Sequence, residues 1–437
     1  MKRFVGLIFG LSLLCNSVIT GYAQQEITIY SDYYYMIDMA NKQIILDQGS
    51  EEMIYPASMT KMMALIVSLE KITDTSDRVV LDQEIFAGLL QANASLAGFS
   101  LNESVTIEDC LYGLFLPSGA ETTRAVARYV AGSETAFVEL MNAKAVELGM
   151  QNTHYVNTTG LHNNEHKTTL RDLAILLEYC LQNPKFEAIF STNRYLAQSG
   201  SMHKNGLSWQ SSTFRLVETI GFDQMSEIVL LGGKTGYTIP AGLCLASIAE
   251  KEGRQYMLIT AHAPAGSTPY HAMDAVGIYN MVFNDYQKTT IIEPDQVLGS
   301  ASIQFNFSNR KIHFQVSEPV QLTLPSQLNI ETLEYQLDVA EVYDAPLEEG
   351  QKLGTVTVLL EGKEVYTTTL LATKTIGRNP LLYGFYHLQI WIMNNLILTG
   401  ILLFGIGFLV WRFFLQRREI QRAVQRKLRR KPKRYRI

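Results

Sequence analysis

The chain has 437 residues, 47% of them hydrophobic and 18% charged, with a formal net charge of −5. That balance excludes a disordered chain and leaves room for more than one core. Of its 37 bases and 42 acids, 12 bases and one acid lie from Arg412 onward, so the remainder holds 25 bases and 41 acids and is not built to grip nucleic acid.

The N-terminus reads as a secretion signal over residues 1–23. Lys2 and Arg3 supply charge, Phe4 to Leu14 a short apolar core, and Gly21-Tyr22-Ala23 a small-residue cleavage pattern. The apolar run is too short for a first membrane helix. Cys15 follows Leu14 rather than a small residue, which argues against a lipoprotein signal. Cys110, Cys180 and Cys244 remain, without metal-like spacing, and read as small buried core residues.

The first body of the chain, residues 24–285, opens with YYYMIDMANKQIILDQGSE, a hairpin pattern around Asn41. Helical patterns follow at Ser58 to Lys71, Ile107 to Phe115, Ala120 to Val130 and Glu134 to Leu148. Later strands are expected at Glu227 to Leu231, Gly242 to Glu250 and Tyr256 to Ala263. Strands at both ends with helices between predict a sheet closed by the two terminal segments. Residues 290–376 alternate like strands (SIQFNF, KIHFQV, GTVTVLL, EVYTTTLL), which predicts a small β-sandwich.

Residues 377–395 read as an interfacial linker, with Tyr383, Phe385, Tyr386 and Trp391 as an aromatic belt. Leu396 to Leu415 is almost wholly apolar and long enough to span a bilayer. The basic tail, 416–437, then belongs in the cytoplasm by the positive-inside rule, with anionic lipid headgroups as its expected partner.

The chemistry lies in three short strings. In PASMTKMM, Ser58 and Lys61 are three residues apart, one turn on a helix face, which brings an amine to a hydroxyl. The apolar run after them predicts a buried helix whose N-terminal amides favour an oxyanion. A free lysine is too basic to take the serine proton near neutrality, but burial and a second cation lower its pKa. Lys234, in LLGGKTGYT, is the candidate for that cation. In LFLPSGAETTRAVARYV, Ser118 reads either as a helix N-cap or as a proton relay. S-x-x-K is common by chance. Its pairing with K-T-G, placed before a strand, marks the penicillin-binding serine enzymes.

On these strings the chain resembles the D-alanyl-D-alanine carboxypeptidases of the serine S11 type, the low-molecular-weight penicillin-binding proteins. The resemblance extends through VNTTGLHNNEHKTTLRDLAIL and VYDAPLEEGQKLGTVTVLLEGKEVYTTTLLA. It implies an α/β (α+β) transpeptidase/β-lactamase-like domain, an all-β sandwich domain and a C-terminal transmembrane helix. It implies that Ser58 is acylated, Lys61 is its base and Ser118 relays the proton. Lys234 and Thr235 would take the substrate carboxylate, with Gly236 and Tyr237 beside it and the amides of Ser58 and Tyr237 as oxyanion hole. The implied activity is removal of the terminal D-alanine from peptidoglycan stem pentapeptides on the extracellular side of the cell membrane, with β-lactams acylating the same serine and no metal or other cofactor.

Two departures stand out. Ala120 occupies the position where the family's second motif usually has Asn, and PAGSTPYHAMDAV lacks the arginine common near the carboxylate site, leaving His271 as nearest candidate. Rival readings are a weakly active peptidoglycan-binding regulator, a β-lactamase, for which no deacylating glutamate stands out, and a zinc peptidase. The last rests on His162-Asn163-Asn164-Glu165-His166, an H-x-x-E-H string that needs a helix, whereas the preceding Thr-Thr-Gly and the two asparagines predict a loop.

Overall fold

The computed structural model describes residues 27–198, 200–220, 227–308 and 310–428. The secretion signal and the last nine residues of the basic tail lie outside them. The chain divides into two compact units. One holds the residues up to Ile291 with Val320–Gln336 and Thr357–Thr367; the other holds Ile292–Pro319, Leu337–Val356 and the residues from Thr368 on.

The first unit is built on a five-stranded antiparallel sheet. Its order is Ile44–Gln48, Tyr33–Asp38, Arg254–Ala263, Gly242–Lys251, Val229–Thr238, so the terminal segments close it as expected. The opening hairpin turns where Asn41 Oδ1 accepts from Gln43 N at 3.0 Å and Lys42 adopts φ +64°.

Side chains alternate between the two faces of this sheet. Tyr35, Ile37, Cys244, Ala246, Met257 and Ile259 join the core with the helix Thr60–Lys71. Met36, Leu245, Tyr256 and Leu258 pack instead with the helix Tyr270–Asp285. Both faces are covered, so the strands read as near-continuous apolar runs. Thr60–Lys71 is buried at every position from Thr60 to Ser68, in keeping with its all-round apolar sequence.

Two boundaries and three helices differ from the sequence reading. The segment beginning at Ser58 is a 3-10 turn over Ala57–Met59 before the α-helix starts. Lys234-Thr235-Gly236 lies inside a strand rather than before one, because antiparallel pairing with Gly242–Lys251 runs on to Thr238. The helices Leu170–Cys180, Ser212–Ile220 and Tyr270–Asp285 were not assigned from sequence.

In the second unit, Gly299–Gln304 pairs antiparallel with Lys311–Gln315 and parallel with Val342–Asp344. The end of Lys363–Ala372 joins Lys311–Gln315 through Phe314 and Gln315. Ile312, Phe314, Leu347, Leu370 and Ile376 are buried. The stretch read as a linker is mostly helix, Pro380–Asn394, because Pro380 fits the first turn and the Asn379 side chain accepts from Leu381 N and Leu382 N. Tyr383 and Tyr386 pack on Phe305. After Asn395 breaks the pattern, the helix Leu396–Leu428 continues through the first basic residues of the tail. Among the described residues, only this helix is long and apolar enough to cross a membrane.

Candidate active site

The 3-10 turn places Ser58 half-buried at the mouth of the buried helix, with Ala57 held at φ +46°. A backbone conformation of this kind persists only where the surroundings enforce it. One enforcing group is Gly160, at φ +80°: a Cβ there would lie 1.9 Å from Ala57 O and 3.0 Å from Ser58 N. Gly236 closes in from another side, where a Cβ would stand 3.0 Å from Pro56 O and 3.2 Å from Ser58 N. The K-T-G strand and the Thr159-Gly160 turn thus grip the backbone around Ser58.

Lys61 is 2% exposed. Its Nζ lies 3.1 Å from Ser58 Oγ and donates to Thr159 O at 2.6 Å. Burial lowers its pKa to about 7, against an opposing pull from Glu121. The Thr159 carbonyl is held in place by its neighbours. Asn157 Oδ1 accepts from Thr159 N and Gly160 N, and the Thr158 hydroxyl donates to Glu134 Oε1 at 2.7 Å.

Ser118 sits in the turn between the helices Ile107–Phe115 and Ala120–Ala131, at φ +62°. It is not the helix cap. That position falls to Gly119, without a side-chain bond, and Ser118 Oγ instead accepts from Lys234 Nζ at 3.1 Å. Lys234 is 1% exposed, donates also to Thr235 O at 3.0 Å, and stands 5.9 Å over the Phe115 ring. Burial first, then the charge of Lys61, hold its pKa well below the ordinary lysine value. Both lysines are therefore easily discharged, and charge on one disfavours charge on the other.

Thr235 Oγ1 is 2.9 Å from Ser212 Oγ, a contact the string Ser211-Ser212-Thr213 did not announce. Tyr237 is half exposed on the same strand. Ala120 is 2% exposed, and its amide donates to Ser95 O at 2.8 Å. It offers Lys61 no side-chain amide, and the Thr159 carbonyl is the contact found there. His271 does not act as a cation in place of arginine. It is 4% exposed, its Nδ1 has no partner, and burial lowers its pKa to about 4, so it is neutral.

The His162–His166 string is turn and loop, as its asparagines predict. His166 Nδ1 accepts from Val156 N at 3.1 Å, which leaves the proton on Nε2 to donate to Thr60 Oγ1 at 2.8 Å. His162 packs edge-on against Tyr55. His166 thus ties this loop to the helix that carries Lys61.

A hydroxyl beside a discharged amine, and a second amine bonded to a second hydroxyl, form a set able to accept, hold and return a proton around one half-exposed oxygen. Comparison with known proteins gives the family. Residues 20–265 match the family model for D-alanyl-D-alanine carboxypeptidase, peptidase S11, and residues 286–378 match the C-terminal domain of penicillin-binding protein 5. The chain is 26% identical over 391 residues to the D-alanyl-D-alanine carboxypeptidase DacF of Bacillus subtilis, covering 86% of this chain and 94% of that one. It is 30% identical over 237 residues to the D-alanyl-D-alanine carboxypeptidase of a Streptomyces strain, covering 52% and 78%. The crystal structure of penicillin-binding protein 5 from Haemophilus influenzae shares the fold, with a TM-score of 0.60 at 21% identity over 81% of this chain and 99% of that one. The chain belongs to the peptidase S11 family of D-alanyl-D-alanine carboxypeptidases.

Proposed function

We propose that the protein is a serine-type carboxypeptidase that removes the terminal D-alanine from peptidoglycan stem peptides through an acyl-enzyme on Ser58. The observation that carries this reading is the buried Lys61 amine 3.1 Å from Ser58 Oγ, with its pKa lowered to about 7. Lys61 takes the hydroxyl proton as Ser58 attacks the penultimate carbonyl. The amides of Ser58 and Tyr237 hold the developing oxyanion. The Lys234–Ser118 bond offers a return path that delivers a proton to the leaving amine. Water then attacks the acyl-enzyme, with Lys61 again as base.

An anionic substrate end beside Lys234 favours charge on that lysine. Repulsion then favours the neutral, basic form of Lys61, so binding itself readies the nucleophile. β-Lactams present a reactive carbonyl and a carboxylate to the same groups and acylate Ser58. The catalytic domain spans 24–285 and a β-domain stalk 290–376. The apolar helix over 396–415 anchors the chain in the cell membrane, with the catalytic domain outside and the basic tail inside.

The test is release of D-alanine from a peptide ending in D-Ala-D-Ala. The purified protein releases it and Ser58→Ala does not; release by the alanine variant at the wild-type rate would end the proposal.

A further inference from the structure

We propose that Ser212, together with Thr235, binds the terminal carboxylate of the substrate; this rests on the reading of Ser58 as nucleophile. The two hydroxyl oxygens lie 2.9 Å apart, and no other hydrogen bond of either side chain is seen among the described residues. In such a pair one hydroxyl donates to the other, which leaves the second O–H free to donate to a bound group. A carboxylate fits the pair, because its two oxygens accept one hydrogen bond from each hydroxyl.

The surroundings favour an anion at this point. Lys234 precedes Thr235 and has already committed two N–H groups, to Ser118 Oγ and Thr235 O. The strand is close to the nucleophile, since a Cβ on Gly236 would stand 3.2 Å from Ser58 N. Ser212 is the first residue of the helix Ser212–Ile220, whose positive end supports negative charge. His271 is neutral and supplies no cation. A hydroxyl pair therefore meets the carboxylate in a chain whose PAGSTPYHAMDAV stretch lacks an arginine.

The test compares two substrates that differ only at the C-terminus, an acyl-D-Ala-D-Ala acid and its C-terminal amide. The amide is uncharged and puts an NH2 donor where the acid has its second oxygen, so it cannot give each hydroxyl an oxygen of its own or a charge-assisted bond. Wild type prefers the acid. Ser212→Ala lowers that preference in kcat/KM by about tenfold, the effect of one hydrogen bond to a charged group, while Ser212→Thr restores it. Thermal melts of each variant check that the fold is intact.

An unchanged acid-to-amide ratio in Ser212→Ala, or a parallel fall for both substrates, overturns the assignment of Ser212 and leaves the role of Ser58 standing. If wild type cleaves neither peptide, the reading of Ser58 fails and this assignment falls with it.

Discussion

Lys61 is the residue whose protonation the chemistry depends on, and its environment fixes a pH profile. At an ordinary pKa of 10.5, about 3 lysines in 10,000 are neutral at pH 7. With the pKa lowered to about 7, about half are. Burial thus raises the population of the base form by a factor on the order of 10³, and lowering the pKa from 10.5 to about 7 corresponds to roughly 5 kcal/mol.

The assay is the second-order rate of Ser58 acylation by a chromogenic β-lactam between pH 5 and 9, at constant ionic strength. The lysine must be neutral to accept a proton. The rate therefore falls about tenfold per unit as pH drops below about 7, and levels above it. Lys61→Arg keeps a cation at every pH, so the rate drops by on the order of 10³ and the limb disappears. Lys234→Gln breaks the bond to Ser118 Oγ and removes the amine that meets the β-lactam carboxylate, so the rate falls at every pH while the limb stays near 7. A flat wild-type profile from pH 5 to 9, or Lys61→Arg within tenfold of wild type, would refute the reasoning.

Further outcomes concern the surroundings. Gly160→Ala drives a methyl into the Ala57 carbonyl, so it lowers stability by about 2 kcal/mol or more and acylation by at least about tenfold; wild-type values for both would show that the turn yields. Ala120→Asn adds atoms at a 2% exposed site and costs about 1–3 kcal/mol by overpacking, read as a lower Tm; an unchanged Tm would show space the packing does not reveal. His166 has its pKa lowered to about 4, so between pH 6.5 and 4 the unfolded chain binds the proton first and stability falls with pH, by up to about 3 kcal/mol. Urea midpoints for wild type and His166→Gln at pH 7 and 5 check this, and equal pH slopes would contradict it. A chelator leaves activity unchanged, since both ring nitrogens of His166 are engaged within the protein; loss in EDTA with recovery on zinc would reverse that view.

The strongly periodic segments were legible in the sequence. The closing strands, the buried helix after Ser58 and the helix Ile107–Phe115 follow from apolar pattern. Tyr270–Asp285 was missed although Ala272, Ala275, Ile278 and Val282 are spaced for one face, because Gly277 and Asn280 weaken its local preference. Spacing along the chain placed Ser58 against Lys61. The Lys234–Ser118 bond, the Thr159 carbonyl on Lys61 and the Ser212–Thr235 pair join residues 116, 98 and 23 positions apart, and no local pattern encodes such meetings. In the sequence, Gly160 reads only as part of a loop signal. Its closeness to the nucleophile turn exists only once the fold has formed.

Acylation of Ser58 is read out by incubation with a labelled penicillin, digestion and mass spectrometry. One adduct is expected, on the peptide containing Ser58, and none in Ser58→Ala. An adduct on another residue, or D-alanine release by a protein that penicillin never labels, would contradict it.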